Sequence, residues 1–318
     1  MGKINIIYLP IFLQENKENS DNLSNKTLSL AKQTKDILNE NDIKLNKNLG
    51  QNYLIDKNKR DKIIEYANIT NDDVVLEIGS GIGTLTTELA SKAKKVIAIE
   101  QDSTIYQILK NRLERENIEN VELINDDAIT ADFPKFNKIV SNLPYQISSP
   151  ITFKFLNYDF DVAILMYQKE FARRMNGEVG TKDYSRLSAM LYFKCDVERL
   201  ASVSAESFIP KPQVDSTIIK LTPKLPDLHG DLAHLDIDEI NNEDFESYSK
   251  YCKALFQHKN KKVRNALIDS RHEISNFDKK QMKEKLNNIT SHKINDLLDK
   301  RVINITPEEI LYLSKHLM

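Results

Sequence analysis

Asn142, Leu143, Pro144 and Tyr145 follow an apolar run, Lys138–Ile139–Val140–Ser141, that reads as a strand. Upstream, a second apolar run ends in a glycine turn, Glu77–Ile78–Gly79–Ser80–Gly81–Ile82–Gly83. Together they suggest a nucleotide-like cofactor held at one strand end and a planar amino group held at another. Methyl transfer to an exocyclic nitrogen requires that pairing. An adenine N6 amine is a poor nucleophile because its lone pair is delocalised into the ring. An Asn side-chain oxygen and a nearby backbone carbonyl can each accept one N–H bond. Two acceptors off the ring plane favour a tetrahedral nitrogen with its lone pair aimed at a methyl donor. Pro144 has no N–H and a fixed φ, so it can hold the preceding carbonyl in one direction. Tyr145 offers a face to a flipped base, typically worth about 1–3 kcal/mol. Alone, the four residues fit a plain strand-end turn equally well. The glycine turn on the same chain favours the chemical reading.

Glycine lets the backbone bend tightly and lets a ligand come close. Glu100 closes the next strand, where an acid can accept both hydroxyls of a ribose; a solvated strand end is the competing reading. A nicotinamide site calls for G-x-G-x-x-G, but position 84 is Thr and the third glycine is Gly83. With Glu77 opening the motif, this spacing favours S-adenosyl-L-methionine over NAD. Asp127 follows the third strand and can accept the adenine amine of the cofactor. A helix cap or turn explains Asp127 equally well.

The elements that must position these residues alternate from about residue 42. Strands are expected at 73–78, 96–100, 121–124, 138–142 and 161–167, and helices at 56–68, 84–92, 103–116 and 148–157. This order argues for an α/β fold with a doubly wound parallel sheet. Val214–Leu221 reads as a later strand forming an antiparallel hairpin with roughly 197–205. Residues 14–27 are polar and expected to be disordered, and Leu28–Leu38 has the spacing of a helix. Residues 225–246 carry eight acids and no Lys or Arg, whereas 247–268 hold Lys250, Lys253, Lys259, Lys261, Lys262 and Arg264 with no acid. Thr306–Pro307–Glu308–Glu309 is a helix start. The expected division is an N-terminal extension over 1–41, a catalytic domain over 42–224, and an acidic linker with a small C-terminal helical domain over 225–318.

The chain has 318 residues, 40% hydrophobic, with a formal charge of −2. That gives no global nucleic-acid signal, so any such surface must be a local patch. Cys195 and Cys252 are the only cysteines. They are far apart and lack a nearby His pair, so neither a disulfide framework nor a metal site is expected. Ile4–Leu13 is too short to span a bilayer and lacks the flanks of a signal peptide. A cytoplasmic protein with no membrane partner, monomeric, is the expectation.

Four segments carry a resemblance. Asn48–Leu49–Gly50–Gln51–Asn52–Tyr53–Leu54, Glu77 to Gly83, Asn142 to Tyr145, and Phe208–Ile209–Pro210–Lys211–Pro212–Gln213–Val214–Asp215–Ser216 occur in order. They resemble the N-terminal, glycine, catalytic and late motifs of the ribosomal RNA small-subunit adenine dimethyltransferase family, KsgA type. Gly180–Thr181–Lys182–Asp183–Tyr184–Ser185–Arg186–Leu187–Ser188 is similar to archaeal and eukaryotic members. The resemblance implies a Rossmann-like methyltransferase fold and S-adenosyl-L-methionine as cofactor. It also implies N6,N6-dimethylation of two adjacent adenosines in the loop of the last helix of small-subunit rRNA, with a role in rRNA processing and ribosome biogenesis. The pre-ribosomal small subunit would be the partner. By position, Gln51, Asn52, Leu54, Glu77, Gly79, Gly81, Gly83, Glu100, Asp127 and Asn142 would line the cofactor pocket. Asn142 and the Leu143 carbonyl would hold the amine. Tyr145 and Phe208 would flank the base, though Phe208 also reads as a core aromatic.

RNA-binding candidates fall in three basic clusters. Lys59 and Arg60 follow the N-terminal motif, Arg173, Arg174, Lys182 and Arg186 follow the fifth strand, and Lys259, Lys261 and Lys262 lie in the tail. Charge runs are also commonly solvated faces. The rival functions are a large-subunit rRNA adenine methyltransferase, an assembly or transcription factor without turnover, and an amino methyltransferase acting on DNA or protein. Leu143, Gln146 and Val214–Asp215–Ser216 speak against the first, and the intact motifs against the second. The absence of a DNA-reading domain speaks against the third.

Overall fold

The computed structural model describes residues 29–43, 51–224 and 241–317. The polar stretch 14–27 and Asn48–Leu49–Gly50 lie outside the described residues, as does the acidic stretch 225–240. Nine strands are described: β1 Tyr53–Leu54, β2 Val74–Ile78, β3 Lys95–Glu100, β4 Val121–Asn125, β5 Lys138–Asn142, β6 Val162–Gln168, β7 Cys195–Val203, β8 Phe208–Ile209 and β9 Ser216–Pro223. The α-helices are α1 Leu30–Glu40, α2 Lys57–Ala67, α3 Thr86–Ala90, α4 Ser103–Arg115, α5 Ser148–Phe155, α6 Lys169–Met175, α7 Arg186–Lys194, α8 Asn242–Phe256, α9 Val263–Asp269, α10 Lys279–Asn287, α11 His292–Asp299 and α12 Pro307–His316.

Seven strands form one sheet in the order β4-β3-β2-β5-β6-β9-β7. The first five run parallel, and β9 and β7 close the edge antiparallel. The expected hairpin is the β7–β9 pair. Near-continuous apolar runs such as Val162–Met166 follow from burial on both faces. Alternate residues feed opposite clusters. Leu76, Ile97 and Ile139 pack with α5 on one side, and Val75, Val96 and Val140 pack with α2 on the other.

Strand order reverses between β2 and β5, and in such sheets ligands bind beyond the strand ends at that point. Here the two strands pair only over Val75↔Lys138 and Leu76↔Ile139. Beyond that the Ile78 N–H donates to the Ser141 hydroxyl at 2.8 Å. A side chain thus replaces the ladder as the strands part.

α1 begins two residues later than the apolar spacing predicted, because Ser29 caps it. Its Leu38 packs with Tyr53, Ile82, Ile105 and Ile108, on the back of the glycine turn. The C-terminal helices share a core with α7, whose Ala189, Met190 and Phe193 pack against Tyr248, Tyr251 and Leu255. Leu187 and Leu191 of the same helix face the sheet. The end of the acidic stretch is the first turn of α8, where Asn241 accepts from the Asp244 N–H. Glu243 and Asp244 there meet the positive end of the helix dipole.

Candidate active site

One cavity opens over the carboxyl ends of β2, β3 and β5. Gln51, Asn52, Leu54, Glu77, Gly79, Gly81, Glu100, Asp127 and Asn142 line it, as do Leu143, Pro144 and Tyr145. All but two of the predicted cofactor and catalytic residues therefore meet at one place. The exceptions are Gly83 and Phe208.

The glycines bring the motifs together. Gly79 has φ +72°, and a Cβ there would lie 2.9 Å from the Pro144 ring. Gly81 has φ +57°, and its Cβ would lie 2.9 Å from the Tyr53 ring. The catalytic motif and the N-terminal motif thus rest directly on the glycine turn, at contacts no larger residue permits. Gly83 (φ +86°) instead seats α4, since its Cβ would lie 2.5 Å from Leu109 Cδ1.

Glu100 is committed at both oxygens. Oε2 accepts from the Gly81 N–H at 2.8 Å and Oε1 from the Asp102 N–H at 3.0 Å. A carboxylate has further lone pairs for a ribose. Burial raises its pKa, and the Asp102 and Gly81 N–H groups oppose that. Asp102, missed in the sequence, caps α4 with Oδ1 and accepts from Gln51 Nε2 at 3.1 Å with Oδ2. Its signal was the Asp-Ser-Thr helix start. Asp127 accepts from the Ile129 N–H at 2.9 Å through Oδ1. The turn-forming reading of this residue therefore holds, and the residue also lines the cavity.

Asn142 ends β5. Its Nδ2 donates to the Asn52 carbonyl at 3.0 Å. That bond fixes the amide, so Oδ1 is the atom it offers as an acceptor. Tyr145 stands in a 3-10 turn, and its hydroxyl lies 2.6 Å from Ser216 Oγ. The last residue of the late motif thus anchors the last residue of the catalytic one.

Phe208 departs from the expected placement. β8 pairs with β1, matching Phe208 to Leu54, and the Ile55 N–H donates to the Ser207 carbonyl at 2.8 Å. The ring is 2% exposed and packs with Ile63, Ile64 and Ile218. The core reading of Phe208 is the one seen.

Glu77 is buried, and its Oε2 has no hydrogen-bond partner among the described residues. Burial lifts its pKa to about 8, with Thr86 opposing and Glu100 adding. Between the usual carboxylate range and pH 8 the folded chain holds a proton that the unfolded chain has lost. Stability therefore falls as pH rises through that window, by on the order of a few kcal/mol. The melting temperature of E77Q should gain on wild type between pH 5 and pH 8. Parallel melting curves against pH would refute this.

Most of the basic RNA-binding candidates have partners within the chain. Arg60 is 7% exposed and pairs with Asp61 and Glu88 at 3.0 and 2.9 Å. It braces α2 against α3. The Arg186 guanidinium lies over the Phe153 ring, 4.7 Å from its centre. Arg173 pairs with Asp183 at 2.7 Å. Lys261 and Lys262 pair with Asp269 and Asp299, and Lys59 donates to the Ser202 carbonyl. Arg174 and Lys182 are exposed. Lys259 donates to the Lys182 carbonyl at 2.6 Å. Its pKa is lowered by burial and by Arg174 beside it. No group of His, Cys, Asp or Glu fit to hold a metal occurs among the described residues. No helix there is long and apolar enough to cross a membrane.

A parallel sheet with a glycine turn after its first long strand, an acid after the next and Asn-Leu-Pro-Tyr after the fourth defines an α/β methyltransferase. The chain belongs to the ribosomal RNA adenine dimethylase family, whose sequence profile matches residues 42–303. It is 49% identical over 281 residues to "Probable ribosomal RNA small subunit methyltransferase A" of Methanosphaera stadtmanae, spanning 88% of this chain and 96% of that one. A protein of the same name from Methanothermobacter thermautotrophicus is 44% identical, over 91% and 96%. The crystal structure of a dimethyladenosine transferase from Plasmodium falciparum has a TM-score of 0.63 at 34% identity, over 81% and 94%. That of the 23S rRNA methyltransferase ErmE has 0.55 at 27%, over 83% and 99%. The cofactor is S-adenosylmethionine. The residues present fit it: the cavity over the strand ends carries a glycine turn and the carboxylates of Glu100 and Asp127.

Proposed function

We propose that this chain dimethylates N6 of two adjacent adenosines in the loop of the last helix of small-subunit rRNA, acting on the pre-ribosomal small subunit in the cytoplasm as a monomer. The observation that carries the reading is the Asn142 amide, held by the Asn52 carbonyl at the cavity where the catalytic and glycine turns touch. S-adenosylmethionine supplies an electrophilic methyl group. Gln51, Asn52, Gly79, Gly81, Glu100 and Asp127 would hold it. Asn142 Oδ1 and the Leu143 carbonyl accept the two N–H bonds of the target amine. The Pro144 ring, seated on Gly79, holds that carbonyl's direction. Tyr145, anchored on Ser216, offers its ring to the base. The archaeal relatives, by their names, support a small-subunit target, and the two buried, free cysteines suit a reducing compartment.

Incubation with labelled S-adenosylmethionine and immature small subunits, followed by nucleoside analysis, tests the reading. Dimethyladenosine in the small-subunit RNA is expected. Label in large-subunit RNA, or none, would overturn it.

The RNA surface we assign is Arg174, Lys182 and Lys259, brought together from two domains. Replacing Lys182 and Lys259 by Ala should flatten the slope of log affinity against log salt by about 1.5. The same change at Lys261 and Lys262, whose charges are paired, should do less. Equal effects would remove the patch.

A further inference from the structure

Lys154 lies on α5, the helix that follows the catalytic turn. Its ammonium donates to the carbonyls of Ala128 at 2.8 Å, Ile129 at 3.2 Å and Ala131. It also sits 4.0 Å from the centre of the Phe133 ring. An ammonium has three donors, and all three go to one turn. That turn starts at Asp127. The Asp127 carboxylate accepts the Ile129 N–H, and its carbonyl accepts the N–H groups of Thr130 and Ala131 at 3.0 and 2.9 Å. Asp127 closes the turn at its N–H end and Lys154 at its carbonyl end, where a positive charge is favoured. Burial makes the ammonium easier to deprotonate, and Asp132, Asp127 and Asp126 act against that.

Asp127 and Ala128 face the cavity, as do Asn142 to Tyr145. A single helix therefore begins at the catalytic turn and ends bonded to the loop on the adenine side. Nothing in the chemistry requires a lysine there; the geometry does.

We propose that Lys154 is a positioning residue for the cofactor: it ties the Asp127–Ala131 turn to the helix behind the catalytic residues, and so holds Asp127 in place for the adenine end. The proposal rests on Asp127 as a cofactor ligand. Lys154 is not among the residues that line the cavity, so its loss should act through the turn alone.

Calorimetry of S-adenosylhomocysteine binding to the full chain tests this. K154M should weaken binding by a factor on the order of 10, the scale of a lost charge-assisted hydrogen bond. K154R should restore most of it. In a D127A background, K154M should change affinity by no more than about twofold, because both substitutions act on one turn. The KM for S-adenosylmethionine should rise with kcat retained at saturation. Wild-type affinity in K154M would overturn the proposal, as would a full additional loss in the D127A background. If K154M folds poorly, K154Q, which keeps a donor, carries the same comparison. If wild type itself fails to bind S-adenosylhomocysteine, the cofactor reading fails instead.

Discussion

Asn142→Ala is expected to lower the single-turnover rate of methylation by about 10²–10³, the range for removing one oriented hydrogen-bonding group at a developing charge. The structure narrows the reason. Asn142 is held through Nδ2 by the Asn52 carbonyl at 3.0 Å, so Oδ1 is preset before the base arrives. Its partner is the Leu143 carbonyl, ahead of a proline packed on Gly79. A tetrahedral amine matters only as the bond forms, so the loss belongs in kcat rather than in binding. Affinity for RNA should barely move, because phosphate contacts dominate it. Asn142→Asp separates holding from accepting. It keeps an acceptor but sets a carboxylate against the Asn52 carbonyl, and should also be slow. Rapid-quench measurement with saturating cofactor and RNA checks both variants. Asn142→Ala at the wild-type rate would sink the mechanism and favour an assembly factor without turnover.

Phe208→Ala should cost about 3–5 kcal/mol of stability, the range for emptying a buried aromatic site. The ring is 2% exposed beneath the β1–β8 pair, which also holds the N-terminal and late motifs together. Denaturant unfolding reads the loss. The resemblance to the family pointed elsewhere, to stacking on the target base. If the ring served the base, the variant would keep its stability and accumulate monomethyladenosine, since a singly methylated amine must be reseated before it reacts again. The ratio of mono- to dimethyladenosine over time, taken well below the variant's melting temperature, decides between the two. We expect the ratio of wild type.

The basic run 247–268 shows why charge is hard to read from sequence. It has no acid of its own, yet Lys253, Lys261 and Lys262 meet Glu273, Asp269 and Asp299. Ion pairs of this kind depend on helices folding back on one another. Conversely, Lys259 is far from Arg174 and Lys182 in sequence but bonds to the Lys182 carbonyl, and the like charge of Arg174 is felt at Lys259. The docking of the tail was likewise invisible. α7 is apolar on two sides, and only its neighbours show that one side faces the sheet and the other the tail.

The sequence by itself determined the alternation of strand and helix, the parallel run of the sheet, and most of the residues that line the cavity. Those features are local. Apolar period, a glycine run after a strand and an acid closing the next strand are set within a few residues. Tertiary structure alone decided that Gly79 receives Pro144, that Gly81 receives Tyr53, and that Gly83 only seats a helix. It also turned Phe208 into the core and gave Tyr145 its anchor on Ser216. Each of these is a contact between segments separated by tens of residues. The residue type permits such a contact, but the packing of the surrounding elements chooses which face it meets.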